Sequence, residues 1–156
     1  MPSRREQIAM TDAEVRAYLQ AQRRIILVTN GPGGMPHPVP MNYGLDPEGR
    51  IILTAFRKSQ KVKNLERDPR ATLLVESGAG YGDLRGVIAW CEAEVLSDPE
   101  EVAHNMALMR ADAETARSIS GTRDDQVRAS MSKRVALRFT PYRYASWDHE
   151  KLGEFY

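Results

Sequence analysis

Three prolines spaced two apart, in Pro36-His37-Pro38-Val39-Pro40, constrain this chain more than any other feature. A period of two is the period of a strand, and His37 to Leu45 reads as extended. Proline has no N–H, so all three leave the same side of that strand without donors. Such a strand lies at the edge of a sheet or faces a ligand on that side.

The rest of the chain supplies partners for it. Thr11-Asp12-Ala13-Glu14 is a capping box, and Val15, Tyr18, Leu19 and Gln22 then share one face, which predicts a helix over about 12–22. Arg24 to Thr29 is a β-branched, apolar strand, and Asn30-Gly31-Pro32-Gly33-Gly34 is a turn. Asp46-Pro47-Glu48-Gly49 is a second turn, and Arg50 to Phe56 a further strand. A short helix from about Gln60 to Asp68 stops before Pro69. Strands follow over Ala71 to Glu76 and Leu84 to Leu96, with Gly78, Gly80 and Gly82 between them.

Asp98-Pro99-Glu100-Glu101 opens a helix whose apolar stripe is Val102, Met106 and Met109. Gly121 separates it from a last helix near 123–132. Val135, Leu137 and Phe139 then alternate with Arg134, Arg138 and Thr140 in a half-buried strand. Short strands at turn spacing predict a mainly β fold: one small antiparallel barrel of six or so strands, with helices inserted. Long βα alternation is absent, which excludes a doubly wound sheet. At 156 residues the chain fits a single domain.

Composition narrows the function. Twenty-two basic residues oppose 21 acidic ones, so whole-chain charge points to neither nucleic acid nor membrane. The longest aliphatic run, Ile25 to Val28, is far short of a membrane helix. The N-terminus has no apolar stretch of a secretory signal, so a cytoplasmic location is expected. The single cysteine, Cys91, sits in an apolar run and reads as a buried, inert thiol. Neither glycine cluster leads into a helix as a dinucleotide fingerprint does, and no nucleophile elbow exists. His37, His104 and His149 are too far apart for a local metal motif, and no pair of acids stands out. No catalytic side chain can be named. If the chain is an enzyme, the hard chemistry belongs to a cofactor.

One segment is electrostatically odd. Arg57, Lys58, Lys61 and Lys63 crowd the start of the short helix, while Glu66 and Asp68 sit at its end. Both groups oppose the helix dipole, at roughly 0.3–1 kcal/mol each. An anion at the N-terminus removes the conflict, because free N–H groups, a hydroxyl and ammonium groups would all point at it. Arg57, Lys58, Ser59 and Lys61 therefore read as a phosphate cradle. The alternatives are solvated lysines, a serine that only caps, and an Asn64 on the helix surface.

At this segment the chain resembles the pyridoxamine 5′-phosphate oxidase-like split β-barrel family, in its actinobacterial branch of flavin- and deazaflavin-dependent oxidoreductases. The resemblance is carried by Pro36 to Tyr43 and by Lys58-Ser59-Gln60-Lys61-Val62-Lys63-Asn64-Leu65-Glu66-Arg67-Asp68-Pro69-Arg70. Glu92 to Val95 with Asp98-Pro99-Glu100, and Thr140-Pro141 to Trp147-Asp148, extend it more weakly. Where the family usually has a glycine two residues before the alanine, this chain has Cys91.

The resemblance implies a homodimer with a cofactor at its interface, the phosphate on the segment after Phe56. It implies a ring resting against Pro40, Met41, Asn42, Thr54, Ala55 and Phe56, with Trp147 either reaching the ring or serving as an apolar anchor. It implies a reductase using coenzyme F-420, which carries hydride to a small electron-poor acceptor, or an FMN-dependent oxidoreductase of the same fold. A cofactor carrier without turnover and a nucleic-acid-binding barrel are the rival classes. The latter is weakened because Phe56 is the only aromatic near the six basic residues of 57–70.

Overall fold

The structure is a computed structural model and describes residues 1–110, 129 and 131–155. Its strands are β1 (Arg24–Asn30), β2 (Pro36–Asn42), β3 (Gly44–Leu45), β4 (Ile51–Phe56), β5 (Arg70–Ser77), β6 (Arg85–Leu96) and β7 (Arg134–Asp148). They form one sheet in the order β2-β1-β5-β6-β7-β4-β3, with every neighbouring pair antiparallel. Helices α1 (Arg4–Ile8), α2 (Asp12–Ala21), α3 (Gln60–Arg67) and α4 (Pro99–Arg110) are added to it. The fold is a curled, mainly β half-barrel, as the alternation of short strands predicts.

The proline strand is at an edge. All of β2 pairs with β1, with Pro36, Pro38 and Pro40 opposite Asn30, Val28 and Ile26. The ladder bonds must run through His37, Val39 and Met41, because the prolines have nothing to donate. On its other side β2 therefore offers carbonyl acceptors but no N–H at three successive outward positions.

That side matters because of how the sheet closes. Only Tyr43 separates β2 from β3, yet the two stand at opposite ends of the strand order. Gly44 pairs with Ile52 and Leu45 with Ile51. Continuing that register would set Asn42 opposite Thr54, Met41 opposite Ala55 and Pro40 opposite Phe56, but the ladder stops. Pro40 has no N–H to give Phe56, and the paired ladder ends at Gly44 and Ile52, so the barrel stays split beside the end of β4.

Leu27, Leu53, Leu73, Val75, Val87, Leu137 and Phe139 fill the inside, none more than 2% exposed. Burying each such side chain contributes about 1.5–3 kcal/mol. Val15, Tyr18 and Leu19 of α2 join this core, and the Tyr43 hydroxyl donates to the Leu19 carbonyl at 2.6 Å. On the outer side α4 packs against β4 and β7. There Asn105, 3% exposed, donates to the carbonyls of Leu53 and Leu137 at 3.2 and 3.3 Å.

Some expectations change. Helix α1 is additional: Ser3 and Glu6 form a second capping box that the sequence reading passed over. Strand β7 runs on to Asp148, past a register shift opposite Trp90 and Cys91 that accommodates Pro141. The helix expected near 123–132 lies, but for its last residues, outside the described residues. No helix among the described residues is long and apolar enough to cross a membrane.

Candidate functional site

Strand β4 ends at Phe56, a tight turn follows in which the Ser59 N–H donates to the Phe56 carbonyl at 3.0 Å, and α3 begins. Ser59 holds the N-cap position with extended backbone angles, φ −70° and ψ 153°, but its side chain caps nothing. Its Oγ is buried and has no hydrogen-bond partner among the described residues. A buried hydroxyl left unmatched costs about 1–3 kcal/mol, so such atoms are rare. Arg57, Lys58 and Lys63 are exposed and Lys61 is half-buried. The structure thus brings together the four residues of the expected cradle, with an unanswered hydroxyl among them.

The helix is held from its far end. Val62 and Leu65 enter the core. Asn64, for which a place on the helix surface was one alternative, is fully buried, and its Nδ2 donates to Thr29 Oγ1 at 3.0 Å. Its Oδ1 accepts from Gln60 Nε2 at 2.8 Å and from Arg67 Nη2 at 3.3 Å. Asp68, just past the helix, accepts from Asn30 Nδ2 at 3.0 Å and from Arg70 Nη2 at 2.7 Å. These bonds fix the direction of α3, and with it the place of Ser59 and Lys61.

Arg134, which the sequence reading left out of the site, enters it from β7. It is the register partner of Phe56. Its guanidinium lies 4.4 Å from the Phe56 ring centroid, and its Nη1 donates to Thr54 Oγ1 at 3.3 Å. The Arg57 N–H donates to the Lys133 carbonyl at 2.8 Å, tying the turn to the start of β7. Burial and then the charge of Arg134 lower the pKa of Lys61, while burial lowers that of Arg134. Lys61 has no ion-pair partner among the described residues. Both cations are thus partly desolvated.

The ring-wall residues divide by face. Met41 and Ala55 turn into the core, whereas Pro40 and Asn42 are exposed on the outside. Thr54 and Phe56 share the face that carries Arg134, with Phe56 51% exposed. A ring across the split would therefore meet the side chains of Pro40, Asn42, Thr54 and Phe56, and only backbone at Met41 and Ala55. Trp147 is elsewhere. It pairs with Gly86 near the far end of β7, eleven residues beyond the partner of Thr54, Ala136. That is roughly 35 Å of strand at ~3.3 Å per residue. Within one chain Trp147 is an anchor against Gly86. His37 Nδ1, on β2 opposite Thr29, is another buried nitrogen without a partner.

The family model described as pyridoxamine 5′-phosphate oxidase matches residues 11–148. The chain belongs to the pyridoxamine 5′-phosphate oxidase family. Among solved structures, a conserved hypothetical protein from Mycobacterium tuberculosis is 35% identical, with a TM-score of 0.83 over 97% of this chain and 93% of that one. An F-420 reductase is 21% identical, with a TM-score of 0.63 over 83% of this chain and 94% of that one. A FAD-binding protein from Mesorhizobium loti is 16% identical, with a TM-score of 0.65 over 88% and 94%. The last two likenesses show the fold of this pyridoxamine 5′-phosphate oxidase family member and no more. No curated protein matches the chain.

Proposed function

We propose that this chain is a reductase that binds coenzyme F-420 and passes hydride from it to a small electron-poor organic acceptor. The observation that carries the reading is the buried, unmatched Ser59 Oγ at the head of a helix crowded by Arg57, Lys58 and Lys61. These residues fit a phosphate: the hydroxyl and helix N–H groups donate, and the cations neutralise it. Beside them the split leaves Pro40, Asn42, Thr54 and Phe56 to flank a flat ring. When bound, the reduced deazaflavin supplies the hydride from ring carbon 5. The chain's own part is to bind, orient and keep water from the ring, and no protein nucleophile is required.

FMN is the second reading, since its phosphate makes the same demand and a FAD-binding protein shares the fold. The number of cations around Ser59 exceeds what one phosphate needs, and this favours the longer, more anionic F-420 tail. We further propose a homodimer. Ile26, Leu74, Ile88 and Ala145 lie in one cross-strand row on the outer face of the sheet, all only half-buried within one chain. Such a row is what a second copy would cover. The proposed protein is cytoplasmic.

Separate titrations of the purified protein with F-420 and with FMN, followed by ring fluorescence, test the reading. F-420 is expected to bind at least tenfold more tightly. The reverse order establishes the FMN reading, and indifference to both defeats the two together.

A further inference from the structure

We propose that an open pocket on the outer face of the sheet, between the start of β2 and the bulge of β7, binds an uncharged, flat heteroaromatic molecule of one or two rings. The proposal goes beyond the cofactor reading and does not depend on it. The pocket measures about 290 Å³, near the small end of ligand sites, which run from roughly 300 to 1,000 Å³. Val28, Thr72 and Trp90, opposite one another on β1, β5 and β6, make its floor. Pro36 and Tyr142 line its sides, and Arg70 stands at its mouth.

The local sequence builds these walls. Pro36 opens β2 at the sheet edge, so that side of the pocket is a rigid ring. On the far side the register passes from Trp90 opposite Arg143 to Cys91 opposite Pro141. Tyr142 therefore has no cross-strand partner, and the bulge leaves it 68% exposed in the same pocket as Trp90. The Arg143 guanidinium lies 4.8 Å from the Trp90 ring centroid and holds the indole in place.

The polar groups decide the ligand class. Arg70 donates from Nε and Nη2 to Asp68, at 3.0 and 2.7 Å, and Asn30 Nδ2 donates to the same carboxylate at 3.0 Å. This network orients the guanidinium, balances its charge and leaves Nη1 without a partner among the described residues. The hydroxyls of Thr72 and Tyr142 have no hydrogen-bond partner among those residues either. Aromatic walls, unused donors and balanced charge suit a flat ring with acceptor atoms, such as a ring nitrogen or a carbonyl oxygen. An anion would have to compete with Asp68 for Arg70. One step along the strands lie Ile26, Leu74 and Ile88, so the pocket is at the rim of the face proposed for a second copy.

The test follows the indole N–H signals of Trp90 and Trp147 by NMR in the full chain, with quinoxaline and nicotinamide as probes. Both are uncharged and flat, and both carry acceptors. Saturable shifts at Trp90, with none at Trp147, are expected; Trp147→Phe identifies the two signals. Cyclohexanecarboxamide, which keeps the carbonyl without a flat ring, should bind at least tenfold more weakly, and so should the nicotinate anion. Tyr142→Ala, at an exposed position, and Thr72→Val should each weaken the probes at least threefold and leave F-420 affinity unchanged. No shift at Trp90 with either probe, equal shifts with cyclohexanecarboxamide, or binding that Tyr142→Ala leaves intact overturns the proposal. Binding seen only in Ile88→Arg overturns it too, since a second copy then fills the pocket. If the probes bind and F-420 does not, the cofactor reading falls and this one stands.

Discussion

The indole of Trp147 occupies the space that a side chain at its register partner, Gly86, would need. A Cβ built there would sit 2.5 Å from Cε2 and 2.7 Å from Cη2 of the ring. Gly86→Ala is therefore expected to lower stability by about 1–3 kcal/mol through overpacking. Thermal melting checks this, and Trp147→Phe combined with Gly86→Ala should recover part of the loss.

Ser59→Ala should separate stability from binding. A serine that caps a helix typically costs about 1 kcal/mol when removed. Here the hydroxyl makes no cap bond and is buried without a partner. The variant should melt no lower than the parent, yet bind F-420 more weakly. A clear fall in melting temperature would show that the hydroxyl is structural.

The sequence went far at these positions and stopped for identifiable reasons. The proline spacing led to an edge strand because a missing N–H is a local fact. The capping box at Thr11 and Glu14 is as local, and Ser3 with Glu6 was missed though its pattern is the same. Asn64 could be taken for a surface residue as readily as a buried one, because its partner, Thr29, is 35 positions away. Arg134 escaped notice because the charged segment was read as a continuous stretch, whereas a sheet places residues side by side by register. Trp147 resembles a family tail residue, but only the length of β7 shows how far it stands from the cradle of its own chain.

The pH dependence of binding follows from Lys61. Burial and Arg134 hold its pKa below the ordinary 10.5 in the folded protein. The unfolded chain holds that proton more tightly, so this group adds stability as pH rises through the interval between the two values. Binding of an anion has the opposite sign, because it needs the charged amine. F-420 affinity should therefore fall before pH 10.5 is reached, and Lys61→Arg should extend binding to higher pH. Fluorescence titration across the alkaline range measures both.

Cys91 is fully buried, and burial pushes its thiol up to about 12. A thiol that is neither exposed nor ionised reacts with no nucleophile-seeking reagent. An aromatic disulfide reagent at about pH 8 should label the protein only after denaturant is added. Rapid labelling of the native protein would contradict the placement of β6.

Ile88→Arg would put a charge in the half-buried outer row shared with Leu74 and Ile26. In the proposed dimer this is expected to yield monomers by analytical ultracentrifugation and to weaken F-420 binding. A variant that remains dimeric would move the interface elsewhere.

The prolines of β2 carry a last implication. Because Pro40 has no N–H to offer Phe56, the seam there lacks one of the bonds that a strand pair would use to close it. A flat visitor at that point would have fewer backbone bonds to prise apart than anywhere along a fully paired ladder.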